Sequence, residues 1–148
     1  MHSVIDIINT AKQRAIAKSL TYAGELTPAE AFDVLQENVA VLVDVRSLAE
    51  LELVGKVPNA TAIEWAFYPG MVPNPDFAAQ LQAKVTKNST VIFMCRTGGR
   101  SHNAAVLAQQ LGFTNVFNMS EGFEGVANAN KQRTLINGWK HANLPWSN

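Results

Sequence analysis

The sequence has few of the features that would place it in a disulfide-rich, metal-binding or strongly charged class. Its 148 residues include one cysteine, Cys95, which excludes an intrachain disulfide and a cysteine-rich metal site. Twelve basic residues balance twelve acidic ones, so the formal net charge is zero. A neutral chain is poorly suited to electrostatic binding of nucleic acid or of an anionic membrane surface. We therefore expect neither partner, and the free thiol favours a reducing, cytoplasmic location.

Long hydrophobic runs are also lacking, since none approaches the roughly 18 residues that a membrane-spanning helix requires. The first twenty residues contain a short apolar cluster at residues 4–8, but their basic residues follow this cluster. That order is the reverse of a secretory signal peptide, although a basic amphipathic transit segment is an alternative. We favour a simpler interpretation, in which residues 1–20 form an amphipathic helical extension. The helix would pack on the domain or on a second copy of the chain, as a homodimer.

The remaining residues, 21–148, have the composition and patterning of one α/β domain. The chain is 47% hydrophobic and 16% charged, which is sufficient for an ordinary core. Capping-box patterns at Thr27 to Glu30 and Ser47 to Glu50 predict two helix starts. Continuous apolar runs predict strands covered on both faces, with helices and loops between them. Strands are predicted at residues 39–45, 90–94 and 115–119. Further helices are predicted at residues 77–85 and from 100 or 101 to 111, and residues 64–76 are predicted as a loop. This alternation indicates a layered α/β fold with a mostly parallel central sheet.

The segment around the single cysteine carries the most information about function. The predicted strand 90–94 delivers Cys95 to its carboxyl end, where open α/β sheets bind their ligands. Gly98 and Gly99 would allow successive amide groups to turn towards one point, and a helix starts directly after them. The helix terminus and the arginines Arg96 and Arg100 add positive potential. The loop therefore favours an anion, namely the Cys95 thiolate or a group attached to it.

The alternative for such a cysteine is a purely structural role. An isolated cysteine at the end of an apolar strand is often a small buried hydrophobic residue. A structural turn, however, has no need of a glycine pair and two arginines around the chain's single thiol. We therefore interpret Cys95 as a nucleophile.

The loop sequence Cys95-Arg-Thr-Gly-Gly-Arg-Ser101 resembles the active-site loop of the rhodanese family of sulfurtransferases. Other segments resemble the family in the same order, and together they extend over residues 27–146. These segments are Leu42-Val-Asp-Val-Arg46 with Glu50, Gly55-Lys-Val-Pro-Asn-Ala60, residues 112–116, residues 138–140 and residues 144–146. Two departures are Lys56, where the family commonly has histidine, and residues 120–125, where it often has a glycine pair and a tryptophan.

The resemblance implies a rhodanese-like three-layer fold and a two-step transfer of a sulfane sulfur. Cys95 would attack thiosulfate or a persulfide donor, hold the sulfur as a persulfide, and pass it to cyanide or to a thiol, including a thiol on a protein. No metal or cofactor is implied, and the scattered histidines His2, His102 and His141 are interpreted as ordinary surface or helix residues. The substrate-binding loop would consist of Arg96, Thr97, Gly98, Gly99, Arg100 and Ser101.

Two other functions remain open at this point. Cysteine phosphatases and arsenate reductases of a related fold use a similar loop, but with five residues between cysteine and arginine. Here four residues, 96–99, separate Cys95 from Arg100, and Met94 stands where many such phosphatases have histidine. A non-catalytic rhodanese-like binding module is the third alternative, although such modules typically lose the cysteine.

The remaining candidate residues have supporting roles. Asp44 and Arg46 follow a predicted strand, and we expect Asp44 to accept hydrogen bonds from loop amides. Arg46 is expected to pair with Glu50, four residues later. The aromatic residues Trp65, Phe67 and Tyr68, with Met71, either line the pocket mouth or fix their loop to the core. Trp139 and Trp146 are expected to anchor the terminal segment.

Overall fold

The computed structural model describes residues 3–148, in which helices alternate with strands along most of the chain. The strands and helices predicted between residues 27 and 119 are present within one to two residues of their predicted ends, whereas the helix predicted in the extension 1–20 covers Val4–Ala17. The elements are α1 (Val4–Ala17), β1 (Gly24–Leu26), α2 (Pro28–Gln36), β2 (Ala40–Asp44), α3 (Leu48–Val54), β3 (Thr61–Ala62), β4 (Ala66–Phe67), β5 (Val72–Pro73), α4 (Phe77–Lys84), β6 (Thr90–Met94), α5 (Gly99–Gln110) and β7 (Asn115–Met119).

Five of the strands form one parallel sheet in the order β1-β7-β6-β2-β3. Alternate residues of the central strands enter two separate cores, because successive side chains of a strand point to opposite faces. Val43 and Phe93 pack with α4 and α5 on one face, whereas Leu42 and Ile92 pack with α1 and α2 on the other. The sheet is therefore the middle of three layers, and the predicted α/β class is confirmed.

Helix starts follow the predicted capping chemistry closely. The Thr27 hydroxyl accepts from the Glu30 amide, and the Glu30 carboxylate accepts from the Thr27 amide. Ser47 and Glu50 make the same reciprocal pair at the start of α3. Because each box satisfies two amides that a helix leaves free, it fixes where the chain turns from strand to helix.

The prediction of a loop over residues 64–76 was incomplete. Strands β4 and β5 form a small antiparallel hairpin there, with Ala66 opposite Pro73 and Phe67 opposite Val72. Each strand has only two residues and the segment contains three prolines, so no alternating pattern is long enough to indicate a strand.

Helix α1 packs on the domain itself, across the edge strand β1. Its buried residues Ile7, Ala11 and Ala15 lie on one face, and its Arg14 guanidinium donates to both carboxylate oxygens of Glu30 at 2.6 and 2.9 Å. The homodimer through this helix stays a prediction. None of the helices among residues 3–148 has the length and apolar character needed to cross a membrane.

The close approach of α1 to the sheet depends on Gly24, and substitution of this residue tests the packing. A Cβ at residue 24 would lie 2.7 Å from the Phe117 ring and 2.9 Å from the Ala11 backbone. We predict that Gly24→Ala lowers the free energy of unfolding by about 1–3 kcal/mol, because the helix must move outward. Urea denaturation measures this loss, and an unchanged midpoint and slope would show that α1 does not pack as described.

Candidate active site

Cys95 lies directly after β6 with its side chain almost completely buried, at 1% exposure. Its Sγ accepts a hydrogen bond from the Gly98 amide at 3.1 Å and a second from the Ser101 hydroxyl at 3.4 Å. Two donors aimed at one sulfur favour negative charge there, and the amino terminus of α5 adds positive potential at the same place. The arrangement therefore suits a thiolate or an anionic group attached to the sulfur.

The two loop glycines have different roles, which corrects the expectation that both adopt special backbone conformations. Gly98 has φ = +106°, and a Cβ there would lie 2.1 Å from the Ser120 carbonyl oxygen. Gly99 instead starts α5 with an ordinary φ, and a Cβ there would meet no atom within 4 Å. Only Gly98 is needed to turn its amide back towards Cys95.

A segment beyond β7 supports the loop from the side of its backbone. The carbonyl of Cys95 accepts from the Phe123 amide at 2.9 Å, and that of Arg96 accepts from the Glu124 amide at 3.0 Å. Gly122, with φ = +74°, leaves room for these contacts, because a Cβ there would lie 2.5 Å from the Arg96 carbonyl oxygen. In the sequence, residues 120–125 stood out only as a departure from a family pattern. The sequence signal that could have indicated this supporting role was the pair of glycines, Gly122 and Gly125, directly after a strand.

Asn118 is a second contributor that was not predicted from the sequence. This residue is 3% exposed within β7, and its Nδ2 donates to the Gly98 carbonyl at 3.2 Å. The same carbonyl accepts from the His102 amide at 3.0 Å, so two donors fix the carbonyl side of Gly98, the residue whose amide faces Cys95. The sequence signal for this role was a polar residue within a mostly apolar strand, because a buried polar group requires a hydrogen-bond partner.

The expected pairing of Arg46 with Glu50 was wrong. Glu50 instead forms a two-point ion pair with Arg100 from the cysteine loop, with N–O distances of 2.7 and 2.8 Å. Helix α3 begins at Leu48, so Arg46 precedes it and the spacing of four residues has no helical meaning. The pair connects α3 to the first turn of α5.

The electrostatics of this pair favour the charged form of both groups. Burial opposes ionisation of Glu50, but hydrogen bonds from Arg100 and from the Ser47 amide outweigh it and lower the pKa of Glu50 to about 2. The hydrogen bond to Glu50 raises the pKa of Arg100 against burial, with smaller contributions from the charges of Glu50, Cys95 and Asp44. Arg100 is therefore a permanent cation, held by Glu50 in the first turn of the helix that follows the thiol.

Asp44 and Arg46 form a separate ion pair inside the protein. Their side chains are 1% and 0% exposed, and the closest N–O distance is 2.7 Å. Asp44 also accepts from the Arg46 amide, as expected for a carboxylate that binds loop amides. The Arg46 guanidinium donates to the Gly55 carbonyl and lies 4.1 Å from the centre of the Phe123 ring. The pair thus joins the end of β2 to α3 and to the segment that supports the cysteine loop.

A cavity of about 430 Å³ opens beside the loop. Its lining consists of Glu50, Val54, Tyr68, Gly70, Met71, Arg96, Arg100 and Glu124. A larger cavity of about 630 Å³ lies at α2 and the first residues of β2, and no charged side chain lines it. Cys95 itself lines neither of these two cavities, but Arg96 and Arg100 from its loop line the smaller one. The smaller cavity is therefore the better candidate for substrate access.

The aromatic residues of the hairpin region divide between core and rim. Trp65 packs against Phe77 with ring centres 4.9 Å apart, so it fixes the segment to the core. Tyr68 lines the cavity, and Phe67 is a partly exposed hairpin residue outside that lining. Trp139 is buried and its Nε1 donates to the Pro145 carbonyl, which anchors the terminal segment as expected.

The other candidate residues lie in the cysteine loop, in α5 and near the end of the chain. Arg96 is exposed and Thr97 is half-buried. The His102 ring shares a hydrogen bond with the Tyr22 hydroxyl at 2.8 Å, and the His141 ring lies 3.0 Å from the Thr134 carbonyl oxygen. His2 lies outside the described residues. No set of three or more potential metal ligands occurs among residues 3–148.

Comparison with known proteins assigns the family. The model of the rhodanese-like domain matches residues 27–129, which is more than half of the chain. The chain belongs to the rhodanese-like family. This confirms the resemblance inferred from the cysteine loop.

The similarity to known proteins extends over most of the chain. The uncharacterized protein RC0915 of Rickettsia conorii is 36% identical over 120 residues, covering 79% of this chain and 91% of the relative. The crystal structure of Rv0390 from M. tuberculosis is 38% identical with a TM-score of 0.78, covering 85% of this chain and 98% of that one. The human single-domain sulfurtransferase TSTD1 is 27% identical with a TM-score of 0.52, covering 67% and 90%.

The unequal roles of the two glycines in the rhodanese-like loop can be tested by matched substitutions. We predict that Gly98→Ala lowers the free energy of unfolding by about 2 kcal/mol or more, because the added Cβ meets the Ser120 carbonyl and φ is positive. Gly99→Ala should change this free energy by less than about 1 kcal/mol. Urea denaturation measures both values, and equal losses in the two variants would contradict the described loop.

The Glu50–Arg100 ion pair predicts a specific dependence of stability on pH. A pKa of about 2 in the folded protein, against an ordinary value of 4.5, stabilises the fold above pH 4.5. This contribution, at most about 3 kcal/mol, is lost as the pH falls from 4.5 towards 2. Wild type should therefore be more stable than Glu50→Gln at neutral pH, and the difference should shrink on acidification. A difference in unfolding free energy that does not vary with pH would argue against the pair.

Proposed function

We propose that this protein is a sulfurtransferase that carries a sulfane sulfur as a persulfide on Cys95. The observation that carries the proposal is the pair of hydrogen bonds to the Cys95 Sγ, from the Gly98 amide and the Ser101 hydroxyl. These donors suit an anionic sulfur both before and after a sulfur atom is added. Membership of the rhodanese-like family and the likeness to a human sulfurtransferase support the same activity.

The reaction proceeds in two steps that need no external oxidant. In the first, the Cys95 thiolate attacks the outer sulfur of a donor such as thiosulfate or a persulfide. The S–S bond of the donor breaks, and sulfite or a thiolate leaves with the bonding electrons. In the second step, cyanide or a thiolate, on a small molecule or a protein, attacks the outer sulfur of the Cys95 persulfide. The Cys95 thiolate is regenerated.

The loop residues have distinct roles in this mechanism. Gly98 and Ser101 hold the sulfur by hydrogen bonds, and α5 directs its amino terminus at the charge. Arg100 balances the negative charge from a fixed position, while Arg96 is exposed and free to capture an anionic donor. Asp44, Arg46 and Glu50 keep the surrounding backbone in place. A reducing compartment, which we take to be the cytoplasm, would keep the buried thiol available.

The position of Arg100 argues against the phosphatase alternative. Phosphate recognition by arginine uses two parallel N–H groups. In this protein the Nη1 and Nη2 groups of Arg100 already bind the two carboxylate oxygens of Glu50. A phosphate would have to displace a carboxylate that is charged above pH 2. A binding module would need neither the Cys95 thiol nor the two hydrogen-bond donors directed at its sulfur, and both are present here.

The proposed intermediate can be detected directly. After exposure to thiosulfate and removal of the excess donor, intact-protein mass spectrometry should show one added sulfur atom on the wild-type chain. Cyanide or dithiothreitol should remove that sulfur, because each attacks the outer atom of a persulfide.

The control is Cys95→Ser, which should remain folded by circular dichroism and gain no sulfur. A wild-type protein that never gains sulfur, but releases phosphate from an aryl phosphate, would replace the sulfurtransferase with a phosphatase. A protein that does neither would be a binding module.

A further inference from the structure

The N-terminal segment of the chain crosses from one face of the sheet to the other. Helix α1 packs with α2 on one face through Ile7 and Ala11. Beyond the helix, Tyr22 enters the core on the opposite face, where α4 and α5 lie. The amide of Ala23 then donates to a carbonyl of β7 at 2.9 Å, which fixes the crossing. The family model matches residues 27–129, so Tyr22 comes from a part of the chain outside the family domain.

Tyr22 contacts the first turn of α5. Its side chain is buried, and its hydroxyl lies 2.8 Å from the Nδ1 of His102. The two rings also meet edge to face, with their centres 5.4 Å apart. A phenol ring can pack in a core through its apolar part, but a buried hydroxyl requires a partner, and here the partner lies on α5. The contact therefore helps to specify where the first turn of α5 lies relative to the sheet.

That turn carries two groups on which the cysteine loop depends. The residue before His102 is Ser101, whose hydroxyl donates to the Cys95 Sγ at 3.4 Å. The amide of His102 itself donates to the Gly98 carbonyl at 3.0 Å. Because a hydrogen bond weakens steeply when its donor moves or tilts, both contacts depend on the position of this turn. Tyr22 is thus connected to the sulfur through one side-chain hydroxyl and one backbone amide.

Asn118 approaches the same Gly98 carbonyl from β7. Its Nδ2 donates to that carbonyl, while its Oδ1 is buried and has no hydrogen-bond partner among the described residues. An unpaired buried acceptor costs free energy, so the stability of the core does not explain this residue. Burial raises the pKa of the Tyr22 hydroxyl, and the nearby Asn118 side chain opposes this increase. Tyr22, His102 and Asn118 therefore form one connected cluster that ends on the Gly98 carbonyl.

We propose that Tyr22 is a positioning residue for the cysteine loop, so that the segment before the family domain is a functional part of the site. Through His102, Tyr22 holds the turn that directs the Ser101 hydroxyl at the sulfur and that supports Gly98 from its carbonyl side. The inference rests on the sulfurtransferase function proposed above, in which these donors stabilise an anionic sulfur. Tyr22 acts on the sulfur only through these groups.

The first test removes only the hydroxyl and measures the loading step. In this step the Cys95 thiolate takes the outer sulfur of thiosulfate, and sulfite leaves with the bonding electrons. We predict that Tyr22→Phe lowers the loading rate at saturating thiosulfate by about fivefold or more, since removing such a donor outright costs about a hundredfold or more and here the donors are only displaced. The half-saturating thiosulfate concentration should change by less than about twofold, because Tyr22 does not line the cavity that contains Arg96. Rapid mixing followed by mass spectrometry measures both quantities.

Variants of His102 assign the effect to its contact with Tyr22. His102→Leu should slow loading as much as Tyr22→Phe does, and the double variant should be no slower than either, because both changes break one interaction. His102→Asn should retain part of the rate, since its side-chain amide can still bond the hydroxyl. The matched control is Val34→Ala, which removes buried apolar volume from α2 on the other face of the sheet. It should lower the stability without changing the loading rate.

A second measurement reports on the loop itself and needs no sulfur donor. In nitrogen–proton correlation NMR spectra, the Gly98 amide resonance should move in Tyr22→Phe and in His102→Leu, because its hydrogen bond to the Cys95 sulfur is disturbed. The same resonance should stay in place in Val34→Ala. Cys95→Ser provides the reference for an amide that has lost its sulfur partner.

The outcomes separate this inference from the function on which it rests. If wild type is loaded with sulfur and Tyr22→Phe is loaded at the same rate, the positioning role is wrong and sulfur transfer stands. Equal losses of rate in Tyr22→Phe and Val34→Ala would likewise overturn the positioning role, because reduced stability would explain both. If Cys95 of the wild type is never loaded, the sulfurtransferase function fails. The NMR comparison then decides alone, and an unchanged Gly98 resonance in Tyr22→Phe would overturn the positioning role as well.

Discussion

The hydrogen bond from the Gly98 amide to the Cys95 sulfur is the constraint on which the site depends. The chain must reverse within three residues for this amide to point back at the thiol. That reversal requires a positive φ and brings residue 98 against the Ser120 carbonyl, where no side chain fits. The rest of the loop follows from this turn. Helix α5 can start at the next residue, and the Ser101 hydroxyl arrives within reach of the same sulfur.

Holding such a turn requires support from elements that are distant in sequence. Strand β7 provides Asn118, which binds the Gly98 carbonyl, and the segment after it provides amides for the carbonyls of Cys95 and Arg96. Two ion pairs complete the frame. Glu50 fixes Arg100 from α3, and the buried Asp44–Arg46 pair joins β2 to the supporting segment through Phe123. The loop after Cys95 is thus held by hydrogen bonds and ion pairs from α3, β2, β7 and the segment after β7, as the proposed sulfur chemistry requires.

The sequence predicted those parts of the structure that local chemistry determines. The run 90–94 is almost wholly apolar and residues 115–119 follow the end of a helix, and the bounds predicted for both strands agree with β6 and β7. The helix starts at Thr27 and Ser47 are set by capping residues three positions apart, so they too were predictable. The glycine-rich turn after Cys95 was visible for the same reason, although only Gly98 of the two glycines needs its special conformation.

Contacts between distant residues were not predictable in this way. Arg46 has two acidic residues within four positions, and the choice of Asp44 over Glu50 depends on where α3 begins and where α5 places Arg100. The support from Asn118 and Gly122 depends on β7 lying beside β6, which one sequence does not specify. The hairpin of β4 and β5 has too few residues for a periodic pattern. In each case the deciding information is the tertiary arrangement rather than a local preference.

The central claim is that the cradle holds an anionic outer sulfur on Cys95. A high-resolution crystal structure of the protein after loading with a sulfane-sulfur donor tests it most directly. We predict density for a second sulfur bonded to the Cys95 Sγ, with its outer atom within hydrogen-bond distance of backbone amides of residues 97–101. An outer sulfur directed away from these amides, or a loaded protein with no density beyond the Sγ, would contradict it.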